Sequence, residues 1–530
     1  MNAHEQSGGG LSRRDGHAVE PAGFNTDAAA VNVTRNISSS YASAAVNIIV
    51  PLIMIPLFVR YLGMELYGQW IIVLSLVSYL PLANLGIAQA LQNRMADASA
   101  RGMRGELGGL VSTGFVAYAA VAAFLVVALY LITPSVAAGI SASGAGSRAF
   151  LVFALLAAAA FPLKVNSMLL RGIERVDRDQ TIGILARVIQ ALGTIVVLLA
   201  GFKLIAVALV SGATALVEGF ASLWASTRLC AEARPRLARF SSKLLSSLIP
   251  ASAGFLVLQL GLTFVYGIDN LVIGYAIGAQ HVPAYAVPFR LIWTANGLFY
   301  VAVSAVTPSI TQRFSRGERE YLGGRFSTGM RLAIFYATAC AIALWLVGPS
   351  FIRWWAGPSV YPGAPTFGLQ IGYLILLVLA TPGYGVVMAT TKHYRYAALS
   401  VVEGALNLSL SLWWVRRFGI AGVIAATVVA SLLTTAWYLP TAAARILGLG
   451  VGRITRELAG PALVAFVALA TTAALSHQVG DDSLLRSSAV MLVVELVFVA
   501  GFSRLALSRE EREAARVWIV RTARAGVQAA

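Results

Sequence analysis

The residues in this sequence with chemistry to perform are charged and amide side chains set deep inside long apolar runs. Lys164, Arg187 and Arg290 are cations in such runs, and Asp269, Glu403 and Glu218 are acids in others. At the centre of a membrane helix an Arg or Asp costs about 2.5–3.5 kcal/mol on insertion scales, so each needs a partner or a task. Spacing sorts them. Ser400, Glu403, Asn407 and Ser411 recur at i, i+3, i+7 and i+11, one face of a helix, and Ser40, Ser43 and Asn47 form a shorter polar stripe. Lys164, Ser167 and Arg171 follow i, i+3 and i+7, and Arg187 shares a face with Gln190. Such faces turn from lipid toward other helices or water.

Two chemistries follow. Arg290, Lys164 and Arg187 around one cavity would hold an anionic headgroup such as a diphosphate through charge-assisted hydrogen bonds. Asp269, Glu403 and Glu218 are the acids that would pair with the cations in salt bridges, and an acid-dominated cavity would instead take cationic cargo. A structural reading stands beside each. Asp269 and Arg290 lie on consecutive spans at one membrane level and would brace each other as a salt bridge. Lys164 and Arg187 would snorkel to the interface, and Arg171 would anchor topology. Glu495, alone in its run, has no evident role.

Catalysis finds little support. The five His residues (His4, His17, His281, His393, His477) have no ligand spacing, so no metal is expected. None of the four Lys residues follows the Gly-Lys-Ser/Thr pattern of a P-loop, and Gly448-Leu449-Gly450-Val451-Gly452 has the wrong spacing for a dinucleotide fingerprint. No cofactor is expected, and the chain is read as a non-enzyme. Cys230 and Cys340 imply neither a disulfide framework nor a metal cluster.

The elements that must position these groups are membrane helices. Of 530 residues, 58% are hydrophobic and only 12% charged, against about 25% charged in a soluble protein. Apolar stretches of span length give fourteen expected helices, at 39–60, 67–90, 108–132, 149–171, 180–201, 204–226, 245–268, 284–307, 328–348, 366–389, 395–415, 418–440, 457–476 and 486–505. The fold class is therefore an all-α polytopic membrane protein. The net charge of +17 sits in short clusters between spans, the mark of topology-setting loops rather than a nucleic-acid surface. With the N-terminus inside, the cytoplasmic loops hold twenty Lys and Arg residues against seven outside. That places both termini in the cytoplasm. Pro51, Pro56, Pro81, Pro162, Pro288, Pro308 and Pro382 would kink or interrupt the spans that contain them.

The chain also repeats itself. Shifted by 215 residues, Gly63 falls on Gly278, Trp70 on Tyr285, Arg101-Gly102 on Arg316-Gly317, and Ser112-Thr113-Gly114 on Ser327-Thr328-Gly329. Six spans separate the copies, so they share one orientation, a parallel repeat about an axis near the membrane normal. The expected order is a disordered tail (1–35), a six-helix bundle (36–227), an Arg-rich linker (228–243), a second six-helix bundle (244–445), two extra helices (446–506) and a second tail (507–530).

The hairpin around Asp269-Asn270-Leu271-Val272-Ile273-Gly274, with Gly278, Tyr285, Pro308 and Arg316-Gly317-Glu318, resembles the polysaccharide-biosynthesis (Wzx-type) flippases. Tyr61-Leu62-Gly63, Tyr67-Gly68-Gln69-Trp70 and Leu85-Gly86 carry the resemblance in the first copy, and it covers residues 32–445. These flippases share a superfamily with the multidrug/toxin antiporters and the lipid II flippases. The resemblance implies a bacterial inner-membrane transporter that moves an undecaprenyl-diphosphate-linked oligosaccharide between leaflets by alternating access. It also implies a cationic lumen, for which Arg290 is the best candidate. Coupling would fall to Glu403 or Asp269. The expected partners are the lipid-linked oligosaccharide, membrane lipids and other polysaccharide-assembly membrane proteins, with no nucleic acid. The alternatives are a cation-coupled drug antiporter, a lipid II flippase, or a membrane-embedded glycan polymerase or ligase. The last is disfavoured because the outer stretches 133–148 and 349–365 lack paired acids.

Overall fold

The computed structural model describes residues 26–80, 82, 86–140, 144–390, 394–479, 483–506 and 512–513. The first half comprises α1 (Thr26–Val77), α2 (Ile87–Ala100), α3 (Arg104–Ile140), α4 (Ala145–Ala160), α5 (Lys164–Gly172), α6 (Val176–Leu199) and α7 (Leu204–Leu229). The second comprises α8 (Ser242–Gly267), α9 (Asp269–Ile277), α10 (Val282–Ser315), α11 (Arg319–Trp355), α12 (Ala364–Ala389), α13 (Tyr394–Leu433) and α14 (Thr435–Ile446). Two further helices, α15 (Val451–Val479) and α16 (Leu484–Leu505), pack on α11.

Among the described residues, eleven helices are long and apolar enough to cross a membrane. Two of them hold a glycine break, at Gly63 (φ 74°) in α1 and at Gly419 (φ 58°) in α13, and each therefore covers two expected spans. The 26-residue α8 supplies the remaining one. The chain is a multi-pass helical membrane protein.

Several boundaries differ from the apolar runs. Helix α1 starts at Thr26, inside the stretch expected as a tail, while residues 1–25 and most of 507–530 lie outside the described residues. The second expected span is broken between Val77 and Ile87, at a segment holding Pro81, which itself lies outside the described residues. Span four is broken where Phe161–Leu163 tightens into a 3₁₀ turn and separates α4 from α5. Pro162 accounts for that break, since it has no N–H for the helix ladder. Helix α10 runs through to Ser315, so most of the expected basic loop is helical.

The duplication is visible in the backbone. Gly63 and Gly278, one repeat apart, both adopt positive φ (74° and 103°) with an extended ψ, a conformation that L side chains resist. Nearby, a Cβ on Gly68 would overlap the Ala279 carbonyl and stand 3.2 Å from Pro283 Cδ. Positions 68 and 283 are repeat mates, and residues that meet their own mates lie on the axis relating the halves. The axis passes here.

The repeated Ser-Thr-Gly motif has a positioning role. Ser112 and Thr113 hydroxyls accept the backbone N–H groups of Arg236 (3.1 Å) and Ser241 (3.2 Å), holding the linker against α3. A Cβ on Gly108 would lie 2.5 Å from the Glu232 carbonyl, so the linker needs a glycine there. In the second copy, Gly323 packs against Leu449 and Ser327 hydrogen-bonds Glu457 of α15. Each copy seats the segment that leaves its own bundle.

Candidate functional site

A cavity of about 460 Å³ lies between the halves. Val46 to Phe58 and Tyr67 to Leu74 of α1 form one wall, Arg187 to Thr194 of α6 another, and Ala286 to Arg290 of α10 a third. Two guanidinium groups reach it. Arg187 Nη1 donates to Ser43 Oγ at 3.0 Å, and Arg290 Nη2 donates to the Asn47 carbonyl at 2.9 Å. Gln190, on the same face as Arg187, donates to Ser211 Oγ at 3.0 Å. Both arginines hydrogen-bond neutral oxygens, and neither is in a salt bridge among the described residues, so each guanidinium keeps donors that an anion in the cavity could take.

Local backbone chemistry explains where Arg290 docks. Asn47 lies four residues before Pro51, and a proline leaves the carbonyl at i−4 without its helix donor. Arg290 supplies the missing hydrogen bond from the other half. The same device recurs one turn on: Pro56 frees the Leu52 carbonyl, which accepts from Trp355 Nε1 at 2.8 Å. Asn47 therefore contributes its carbonyl, where its place in a polar stripe pointed to its side chain. Within that stripe only Ser43 is buried.

Lys164 does not line this cavity. It opens α5 with its ammonium 5.6 Å from the Phe161 ring centroid, and its electrostatic partner is Glu218 of α7. Glu218 in turn faces Arg187 across Gly183: a Cβ there would stand 3.8 Å from the Glu218 carboxylate and 3.9 Å from the Arg187 guanidinium. Of the three expected cavity cations, Arg187 and Arg290 line the cavity and Lys164 does not, while Glu218 lies near both Lys164 and Arg187. Arg171 is tied at 2.6 Å to Asp179, which also accepts from Ser167 at 2.5 Å.

Asp269 and Arg290 have different partners rather than each other. Asp269 opens α9 and is 6% exposed, in the core of the second half. Its carboxylate accepts from Tyr285 Oη and from Asn407 Nδ2 at 3.0 Å, and Thr427 Oγ1 lies 3.1 Å away. Asn407 Oδ1 accepts from Ser411 at 3.1 Å. This is a hydrogen-bonded network around one buried acid, whose carboxylate is the group in it able to take up a proton. Among the described residues no group of three or more His, Cys, Asp or Glu could hold a metal ion.

The stripe Ser400, Glu403, Asn407 and Ser411 is buried throughout, as its period implies. Glu403 lines a separate cavity in the second half and accepts from Thr435 at 2.6 Å. Tyr285, Thr427 and Thr435 complete these acid sites and escaped the sequence reading, because hydroxyls in apolar runs carry no charge cost to flag them. The repeat held one signal, the pairing of Tyr285 with Trp70.

Residues 33–314, just over half of the chain, match the family model described as polysaccharide biosynthesis protein. The chain belongs to that family. The chain is also similar to the uncharacterized membrane protein EpsK of Bacillus subtilis (strain 168), at 23% identity over 497 residues, 91% of this chain and 96% of the relative. Among solved structures it resembles the lipid II flippase MurJ in an inward closed conformation, with a TM-score of 0.66, 14% identity, and coverage of 88% of this chain and 98% of MurJ. It also resembles an inward-facing multidrug resistance MATE family transporter of the MOP superfamily, with a TM-score of 0.54, 15% identity, and coverage of 76% and 98%. The family member therefore has the fold of those transporters.

Proposed function

We propose that this protein moves an undecaprenyl-diphosphate-linked oligosaccharide from the cytoplasmic to the outer leaflet of a bacterial inner membrane, by alternating access, with both termini in the cytoplasm. The observation that carries the reading is the pair Arg187 and Arg290 in one cavity between the halves, each held by a neutral oxygen. A diphosphate offers several acceptor oxygens to two such forks. A cavity of about 460 Å³ has room for a diphosphate headgroup. MurJ, whose fold this chain shares, is a lipid II flippase, and a fold that serves a lipid flippase supports the proposal. Asp269, with Asn407, Ser411 and Thr427 around it, is the proposed site of a coupling proton or monovalent cation.

The test is deletion of the gene in its native host, followed by analysis of lipid-linked oligosaccharide on the cytoplasmic leaflet. Accumulation that wild type relieves and Arg187→Ala or Arg290→Ala does not would support the assignment. If no intermediate accumulates and sensitivity to cationic compounds rises instead, the chain is a drug antiporter.

A further inference from the structure

The cavity around Glu403 is built from a different chemistry. It measures about 250 Å³ and lies within the second half, between α10, α12, α13 and α14. Its walls are aromatic: Trp293, Tyr300, Tyr373, Tyr384 and Tyr396 all line it. The rings form a connected wall, with Tyr300 and Tyr384 centroids 5.9 Å apart and Tyr384 set edge-on to Tyr396 at 5.7 Å. Glu403, only 3% exposed, places its carboxylate in this wall, with Oε2 held by Thr435.

A second polar group faces the same space. Asn296 is 8% exposed, lines the cavity, and its Oδ1 has no hydrogen-bond partner. A buried carbonyl oxygen left unsatisfied is costly and calls for a donor or a positive charge. The cavity thus joins a carboxylate and an orphan amide oxygen to five aromatic rings, and none of its lining residues is cationic.

We infer that this cavity is a binding site for a small organic ammonium cation. Aromatic walls with a carboxylate recognise such cations through ring faces and charge together. Size narrows the class. At about 250 Å³, the space falls below the range of about 300–1,000 Å³ usual for drug-sized ligands. It is also about eight times the volume of one water, too roomy for a bare metal ion. A tetramethylammonium or choline head fits this description. The site shares no lining residue with the arginine cavity, so it stands apart from the flippase reading.

The experiment is calorimetric titration of the purified full-length protein, in lipid nanodiscs, with tetramethylammonium chloride and choline chloride. Saturable binding of one cation per chain is expected. Glu403→Gln should weaken it at least about thirtyfold, as loss of one partner of a buried charge pair does. Asn296→Leu, which fills the space and removes the orphan oxygen, should abolish it while the protein stays monodisperse. The Asn296 variant keeps the test valid if Glu403→Gln misfolds. Arg187→Ala should leave the titration unchanged. Absence of saturable heat, equal displacement by sodium or potassium chloride, or unchanged binding in both cavity variants would each overturn the assignment.

Discussion

Arg290→Gln and Pro51→Ala separate two roles that one guanidinium plays between the halves. Arg290 lines the cavity between the halves, where it is the proposed anion ligand, and it also caps the Asn47 carbonyl that Pro51 leaves open, at 2.9 Å. As a ligand, Arg290 would give a diphosphate one charge-assisted hydrogen bond, about 1.5–3 kcal/mol. Arg290→Gln should therefore weaken binding of undecaprenyl diphosphate by roughly ten- to 150-fold. Pro51→Ala acts in the opposite sense. It restores a backbone N–H four residues after Asn47, closes the helix bond and releases Arg290 toward the cavity. The local helix gains up to about 3 kcal/mol, and anion binding should hold or tighten. Native mass spectrometry of each variant with undecaprenyl diphosphate gives both numbers. A Pro51→Ala protein that loses as much affinity as Arg290→Gln would refute the ligand role. It would show that the arginine acts through its tie to α1.

Arg187→Gln should weaken the same lipid comparably, and the double variant with Arg290→Gln should show a coupling above about 0.5 kcal/mol if one anion bridges both; strict additivity would place the arginines on different ligands. Gly68→Ala puts a methyl into the Ala279 carbonyl at the axis and should destabilise the protein by about 1–3 kcal/mol or more, read as a lowered Tm in detergent. Thr427→Val removes a hydroxyl 3.1 Å from Asp269 and should cost about 1 kcal/mol of stability, whereas Asp269→Asn should abolish any ion dependence of lipid transport in proteoliposomes. Ser112→Ala frees the Arg236 N–H and should speed proteolysis within 230–241 without lowering lipid binding.

Much of the fold is legible in the sequence because bilayer physics forces it. Span-length apolar runs become helices, and the 215-residue register reappears as matched glycine geometry at Gly63 and Gly278. The stripe from Ser400 to Ser411 turns inward because its period permits nothing else. Helical periodicity names a face, however, and not the neighbour that the face meets. Lys164 and Arg187 therefore read alike in sequence, although one lies beside Phe161 and Glu218 and the other opens onto the cavity. Equal membrane level also did not make partners of Asp269 and Arg290. Tyr285 and Asn407 reach the acid from within its own half, while the arginine points across to α1. The prolines of α1 read in sequence as kinks, yet both lie inside the helix, whose break is at Gly63; the carbonyls they free become informative only once the other half is seen to cap them.

Duplication and divergence together account for how charge is divided. Two copies of one bundle, related by an axis, begin with equivalent surfaces on either side of the central cleft. In the second copy Asp269 and Tyr285 sit at positions where the first has Met54 and Trp70, so the acid network belongs to one half alone. Arg290 sits where the first copy has Ser75, and both positions reach across the interface, Arg290 to Asn47 and Ser75 to Asn270 at 3.1 Å. One crossing contact is neutral and the other is cationic. The result is a basic cavity walled mainly by the first half and closed by one arginine from the second, with the buried acids Asp269 and Glu403 held apart in the second half's core. Arg290 accordingly meets a neutral carbonyl of α1 rather than either of those two acids. The arginine is thus a tie between the halves as well as a cavity group, and a movement that parted α10 from Asn47 would break it.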